Sequence, residues 1–299
     1  MIAVTGATGF IGKHLMVSIN GPVRAVVRRG GDGSDCFEII EANLIDSSLY
    51  KIFEEVDTVI HLAGLAHKKF TSKEHEENFI AFKNVIDSAA KASVKRIIYV
   101  SSVSIFEGCR TSKISNNVVP LPISITSDYK FRSELLLKEL AEIEGIEFVI
   151  IRSPLVYGEG VKANFASLMK LVGKGFPLPF RAINQNKRSL VSVYNLVDLI
   201  KVCIDHPKAA NQVFLVSDDD DMSTARMIEL MAKVQGKANL SLPVPVWCFK
   251  LAGKLFKKEA VVDRLVGSLQ LDIEHTKHTL DWVPPYTVEH GFQLATKKN

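Results

Sequence analysis

The chain has little cysteine. Its four thiols, Cys36, Cys109, Cys203 and Cys248, are far apart and form no Cys-x-x-Cys pair. That spacing argues against a disulfide framework or a zinc site, and a reducing compartment is the simplest setting. The eight histidines show no His-Glu-x-x-His or comparable ligand spacing, so no catalytic metal is expected. Long apolar runs are also missing: none reaches the roughly 18 residues of a membrane span. Leu242 to Phe256 is fairly apolar but is interrupted by Lys250 and Lys254, and it reads as a buried helix, with a surface helix touching a membrane or partner as the alternative. The first strand is read from residue 2 with a glycine loop directly behind it, so no signal peptide is expected. A cytoplasmic location is expected. Charge of one sign is scarce too. The formal net charge is +4, and the basic residues are dispersed apart from Arg28-Arg29, His67-Lys68-Lys69 and Lys257-Lys258. No nucleic-acid partner is expected, and the weak positive bias suits a small anionic substrate.

What is present is a chain of 299 residues, 47% hydrophobic and 23% charged, long enough to bury a large core. Its first half alternates strand-like and helix-like signals. Ile2–Val4, Pro22–Val27, Phe37–Ile40, Thr58–Leu62, Arg96–Val100 and Phe148–Ile151 read as strands, with helices expected over Gly12–Ile19, 74–92 and 130–143. Runs of Val and Ile with little polar alternation suit parallel strands covered on both faces. This predicts an α/β fold with a doubly wound parallel sheet. Beyond residue 152 the pattern changes. Leu190–Val193 and Phe214–Val216 read as short strands, and helical segments dominate from Thr224 to Leu271. The expected division is 1–155, with 185–205 returning, for one unit, and 156–184 with 206–299 for a smaller, largely helical C-terminal unit.

The first thirteen residues, MIAVTGATGFIGK, carry the sharpest signal. A short strand runs into Gly6, Gly9 and Gly12. The first glycine permits the turn, the second lets a pyrophosphate approach the backbone, and the third lets the helix sit close to the sheet. The helix N-terminus then offers free N–H groups to phosphates. A dinucleotide is the expected ligand. Thr8, Phe10 and Ile11 in the same turn, Leu44, and Leu62-Ala63-Gly64 after the fourth strand complete the expected cofactor set. The carboxylate that usually follows strand two to hold the adenosine ribose is replaced by Arg28 and Arg29. An arginine there can pair with a 2′-phosphate, which tilts the expectation toward NADP over NAD. His67 reads as a surface or orienting histidine.

These features together resemble the extended short-chain dehydrogenase/reductases, and within them the NAD-dependent epimerase/dehydratase family that acts on nucleotide sugars. The resemblance rests on TGATGFIG (5–12), HLAG (61–64), Asn78 with Asn84, YVSS (99–102) and IRSPLVYGEG (151–160). It implies a Rossmann-type sheet and a C-terminal substrate domain. VKANF (161–165), KRSLVSVYNLVDLI (187–200), NQVFLVSD (211–218) and VDRLVGSLQLDI (262–273) look like a branch of bacterial polysaccharide biosynthesis. By that resemblance Asn164 and Arg188 contact a UDP-sugar's diphosphate, Arg264 assists, and Ser104 belongs to the substrate site.

The family's catalytic signature is Tyr-x-x-x-Lys, two side chains one turn apart on a helix. The lysine binds the nicotinamide ribose and lowers the tyrosine pKa, and a serine or threonine, here Ser102, hydrogen-bonds the sugar oxygen. Lys130 has the right spacing to Arg152, but four residues before it stands Thr126. Three readings follow. Tyr129 replaces the tyrosine, although it lies about 100° from Lys130 on a regular helix. Thr126 relays a proton with Ser102 and Lys130. Or the site binds without normal turnover. The leading expectation is reduction at C4 of a UDP-4-keto-6-deoxy-N-acetylhexosamine, with a 4-epimerase as runner-up. A homodimer through helices 74–92 and 130–143 is also expected.

Overall fold

The computed structural model of the protein describes residues 1–28, 37–46, 49–64, 71–161 and 163–296. Arg29, Cys36 and His67 lie outside the described residues, as does the side chain of Asn164. Val- and Ile-rich segments form β1 (Ile2–Thr5), β2 (Val23–Val27), β3 (Glu38–Glu41) and β4 (Thr58–His61), with α1 (Phe10–Met16) between the first two. Next come α2 (Ser72–Lys91), β5 (Arg96–Ser102), β6 (Lys113–Ile114), α3 (Ile125–Glu144), β7 (Glu147–Ser153) and β8 (Leu155–Tyr157). The second half holds α4 (Ala163–Gly173), β9 (Leu190–Ser192), α5 (Val193–Asp205), β10 (Gln212–Leu215), α6 (Thr224–Val234) and α7 (Val246–Leu255). The chain continues through α8 (Glu259–Val266), β11 (Gln270–Leu271), α9 (Glu274–Leu280) and α10 (Val288–Ala295).

Among the described residues, seven strands form one parallel sheet in the order β10-β7-β5-β4-β1-β2-β3. Both faces are covered. Leu15 and Met16 of α1 and Leu196, Leu199 and Ile200 of α5 pack on one side; Phe82, Val85 and Ile86 of α2 and Leu137 of α3 pack on the other. Each fully buried Ile, Leu or Phe in these layers contributes roughly 1.5–3 kcal/mol, which is why the strands read as unbroken apolar runs. The buried Arg96 guanidinium donates to the carbonyls of Cys203, Ile204 and His206 at 2.7, 2.8 and 3.1 Å, satisfying groups that the end of α5 leaves unpaired. The chain runs outward from β1 to β3, then crosses back to β4. The crevice at the C-terminal ends of β1 and β4 is therefore the topological switch point, where ligands bind in such sheets.

Three elements depart from the sequence expectation. α3 begins at Ile125 rather than near 130, because Ser124 caps it: its hydroxyl accepts from the Ser127 N–H at 3.2 Å, and the Ser127 hydroxyl accepts from the Ser124 N–H at 3.0 Å. Thr126, Tyr129 and Lys130 therefore all sit on helix. β10, from a stretch expected in the smaller unit, pairs with β7 in the central sheet. The segment before Phe256 does not form a buried helix: α7 exposes Trp247, Leu251 and Leu255. No helix among the described residues is long and apolar enough to cross a membrane.

Outside the sheet, β8 pairs with β9 and a second core gathers Phe165, Met169, Ile228, Met231 and Phe292 from α4, α6 and α10. Buried Asp218, just beyond β10, ties the two parts together. It accepts from Tyr157 Oη at 2.6 Å, Asn195 Nδ2 at 2.6 Å and the Ser192 N–H at 2.8 Å.

Candidate active site

A cleft of about 1320 Å³ opens at the switch point. Its floor is backbone. Gly6 has φ +75°, and a Cβ there would sit 2.6 Å from the Ala63 nitrogen. A Cβ on Gly12 would sit 2.3 Å from the Gly6 carbonyl oxygen. Both positions therefore accept only glycine without backbone movement. Gly9 is the residue before α1, and its N–H closes the turn on the Gly6 carbonyl at 2.9 Å. β1 and β4 are locked beneath this turn by Thr5 Oγ1 and His61 Nδ1, 2.9 Å apart. Burial, with Lys130 nearby, pushes the His61 pKa down to about 3, so this histidine is a neutral strut.

The expected cofactor residues Gly6, Thr8, Gly9, Phe10, Ile11, Gly12, Arg28, Leu44, Leu62 and Gly64 all line the cleft. Ala63 packs against Gly6 instead. Arg28 is exposed at the rim. The amide of Asn84 holds the loop bearing Leu44, donating to the Leu44 and Ile45 carbonyls at 3.2 and 2.7 Å.

The opposite wall is built from side chains. Ser102 and Ser104 come from the end of β5, and the Ser104 N–H donates to Ser102 Oγ at 3.2 Å. Thr126 and Lys130, one turn apart on α3, both line the cleft. Lys130 Nζ lies over the rings of Tyr99 and Tyr129, at 5.1 and 5.8 Å from their centroids. Burial pushes its pKa down to about 8, opposed by the charge of Glu134 one turn on. Glu134 is itself fixed by Arg152, which donates from Nη2 at 2.8 Å and from Nε at 3.1 Å. This buried, charge-assisted pair anchors the middle of α3 to β7.

Tyr129 takes a different place. It is 3% exposed, is not among the residues lining the cleft, and burial pushes its pKa up to about 12. Its ring packs among Tyr99, His75 and the Lys130 ammonium. The residue that meets Thr126 is one the sequence reading passed over: His75 of α2, whose Nε2 lies 3.4 Å from Thr126 Oγ1. His75 is buried, and the only sequence signal for it was its place three residues before Asn78.

A dinucleotide fits this cleft. A Cβ on Gly64 would lie 3.6 Å from Lys130 Nζ and 3.9 Å from Asn78 Nδ2, so the bare loop lets both polar groups converge there. Asn78 Nδ2 is buried, Asn78 lines the cleft, and this nitrogen has no hydrogen-bond partner among the described residues. That is an unfilled donor where the resemblance puts the nicotinamide end.

Arg188 and Arg264 do not line this cleft. They stand beside each other. Burial, then the charge of Arg264, lowers the Arg188 pKa, while Arg188 Nη1 donates to the Gly267 carbonyl at 3.3 Å. Two adjacent guanidinium groups, Arg188 half-buried and Arg264 exposed, suit an anionic ligand.

Comparison with known proteins agrees with this architecture. Residues 2–217 match the NAD dependent epimerase/dehydratase family. A UDP-glucose 4-epimerase of Vibrio cholerae is 46% identical, covering 99% of this chain and 94% of the relative. A second relative, from Escherichia coli O157:H7, is 25% identical over 97% of this chain and 92% of its own length; it is an N-acetyl-α-D-glucosaminyl-diphospho-ditrans,octacis-undecaprenol 4-epimerase. The fold is that of UDP-N-acetylglucosamine 4-epimerase from Bacillus cereus, with TM-score 0.83 and 20% identity over 98% of this chain and 96% of that one. It is also that of UDP-glucuronic acid 4-epimerase from Bacillus cereus in complex with NAD, with TM-score 0.80 and 19% identity over 98% and 96% of the two chains. With its glycine-turn cleft, its Rossmann-type sheet and these matches, the chain belongs to the NAD-dependent epimerase/dehydratase family of nucleotide-sugar enzymes.

Proposed function

We propose that the protein interconverts the C4 epimers of a UDP-hexose, with NAD held in the cleft. The observation that carries this reading is that Ser102, Thr126 and Lys130 meet the glycine cradle in one cleft. The activity of the Vibrio cholerae relative supports epimerisation over the reduction expected from sequence. Bound in the cleft, NAD would supply a reversible acceptor for the C4 hydride.

Lys130 and Asn78 hold the nicotinamide ribose, and Ser102 donates a hydrogen bond to the C4 oxygen. Thr126 stands where the family has tyrosine. As the C4 O–H bond breaks, its proton passes to Thr126 Oγ1, and the threonine's own proton passes to His75 Nε2; the return step reverses both transfers. A threonine hydroxyl ionises far less readily than a phenol, so the two transfers must be concerted and turnover slow. Arg188 and Arg264 grip the diphosphate, joined by Asn164 at the start of α4, while Ser104, beside Ser102, contacts the substrate within the cleft. The sugar belongs to the unit around α4, α6 and α10. Arg28 supports the narrower possibility of NADP. Ile80 of α2 and Leu135 and Ile143 of α3 are exposed, which supports pairing of two chains through these helices.

The test is incubation with NAD and either UDP-glucose or UDP-N-acetylglucosamine, read by NMR of the C4 proton. Appearance of the galacto epimer without net cofactor consumption is expected. No interconversion, together with stoichiometric NADPH or NADH oxidation on a UDP-4-keto-6-deoxy sugar, would replace the epimerase by the reductase.

A further inference from the structure

We propose that the outer face of α7 docks the protein on a membrane surface rich in acidic lipid headgroups. α7 and α8 form a helical hairpin that meets the rest of the protein and itself through half-buried Phe249 and buried Gly253 and Val262. Phe249 stacks on Phe180 with ring centroids 5.9 Å apart, and Gly253 is buried so close to α8 that a Cβ there would lie 2.7 Å from Val262 Cγ1's sister methyl, Cγ2. The opposite side carries Trp247, Leu251 and Leu255 at i, i+4 and i+8, exposed by 65%, 60% and 74%, with Phe256 beside them at 69%. Three large apolar side chains in one stripe facing solvent, with exposed Phe256 directly after the helix, is a pattern that marks an interaction surface.

Charge identifies the occupant. Exposed Lys250, Lys254, Lys257 and Lys258 border the stripe, and between Gly236 and Lys258 the chain carries five lysines and no carboxylate. Two copies of this face would bring like charges together. A bilayer with anionic headgroups instead receives Trp247 and the aliphatic side chains at the acyl boundary, while the lysine stems extend their ammonium groups to the phosphates. The hairpin is too short and too charged to span, so it lies in the interface plane. Docking there does not depend on which sugar reaction the cleft performs.

The experiment is flotation of the full chain with phosphatidylcholine vesicles, alone or containing phosphatidylglycerol, together with tryptophan fluorescence. The chain has two tryptophans, and Trp282 is buried with Nε1 donating to Asp198, so a spectral shift on binding reports Trp247. The expected result is flotation and a blue shift with phosphatidylglycerol vesicles only, reversed by high salt. Lys250→Gln or Lys254→Gln should each weaken partitioning by roughly fivefold. The Leu251→Glu/Leu255→Glu variant should lose flotation while keeping the native circular dichroism spectrum and NAD binding. The proposal is overturned if phosphatidylglycerol vesicles fail to float the wild type, if this double variant floats as well as the wild type, or if binding is equal on neutral vesicles. It is equally overturned if the face proves to be covered by a second copy, seen by light scattering as a lipid-free dimer that the double variant dissociates.

Discussion

The wall of the cleft at the end of β1 is made of backbone, whereas the wall at the start of α3 is made of side chains. At Gly6 and Gly12 the nearest atoms to an added Cβ are main chain, so nothing can move aside and the cradle tolerates no variation. At Thr126 the constraint is chemical. The helix keeps its cap, its Lys130 and its Glu134–Arg152 strut, while Thr126 stands four residues before the lysine. A steric requirement is all or none, but a chemical one can be met by another group within reach, the role proposed above for His75, 3.4 Å from Thr126.

Four changes would break or sharpen this contrast. The largest effect falls on the side-chain wall. Arg152→Leu strands the Glu134 carboxylate in the core and should cost about 3–5 kcal/mol in urea unfolding, and a loss under 1 kcal/mol would show that the strut is dispensable. On the backbone wall, Gly12→Ala forces the glycine turn off α1 and should cost about 1–3 kcal/mol. It should also abolish the rise in melting temperature that NAD gives the wild type; a normal rise would mean the turn is plastic.

The next effect is pH-dependent. Folded Lys130 holds its proton less tightly than the unfolded chain does, with a pKa near 8 against an ordinary value of 10.5. Between those two values the unfolded state binds more protons, so this residue's contribution makes stability rise with pH across that window. Lys130→Met should remove that rise from thermal melts of the cofactor-free protein, and an unchanged slope would mean that another group sets it. The smallest effect is at the rim, where Arg28→Ala should leave NAD affinity within about twofold, because an exposed side chain contributes little to a ligand without a 2′-phosphate. A tenfold loss by calorimetry would give Arg28 a part in holding NAD itself.

Much of the backbone wall was legible in the sequence because its rules are local. Three glycines at fixed spacing behind a strand prescribe a turn, and Val- and Ile-rich runs prescribe buried parallel strands. The side-chain wall was legible only in part. Lys130, Ser102 and Thr126 stand at motif positions, but the helix start depended on Ser124 and Ser127 capping each other. The partner of Thr126 comes from α2, 51 positions away, through a contact only the tertiary fold creates. Tyr129 was an open alternative because sequence spacing cannot tell the cleft side of α3 from the side packed on Tyr99. The helix at α7 was misjudged for a related reason: its apolar residues lie on both sides, and composition does not say which side the protein covers.

The most direct test of the account is the turnover number for C4 epimerisation of UDP-glucose in the wild type, Thr126→Val, His75→Phe and the double variant, with NAD affinity measured alongside. If the two residues form one proton path, each single variant should lose about 10²-fold in kcat, the double variant should lose no more than either, and NAD should bind all four proteins equally. Activity that survives in both single variants would contradict the account.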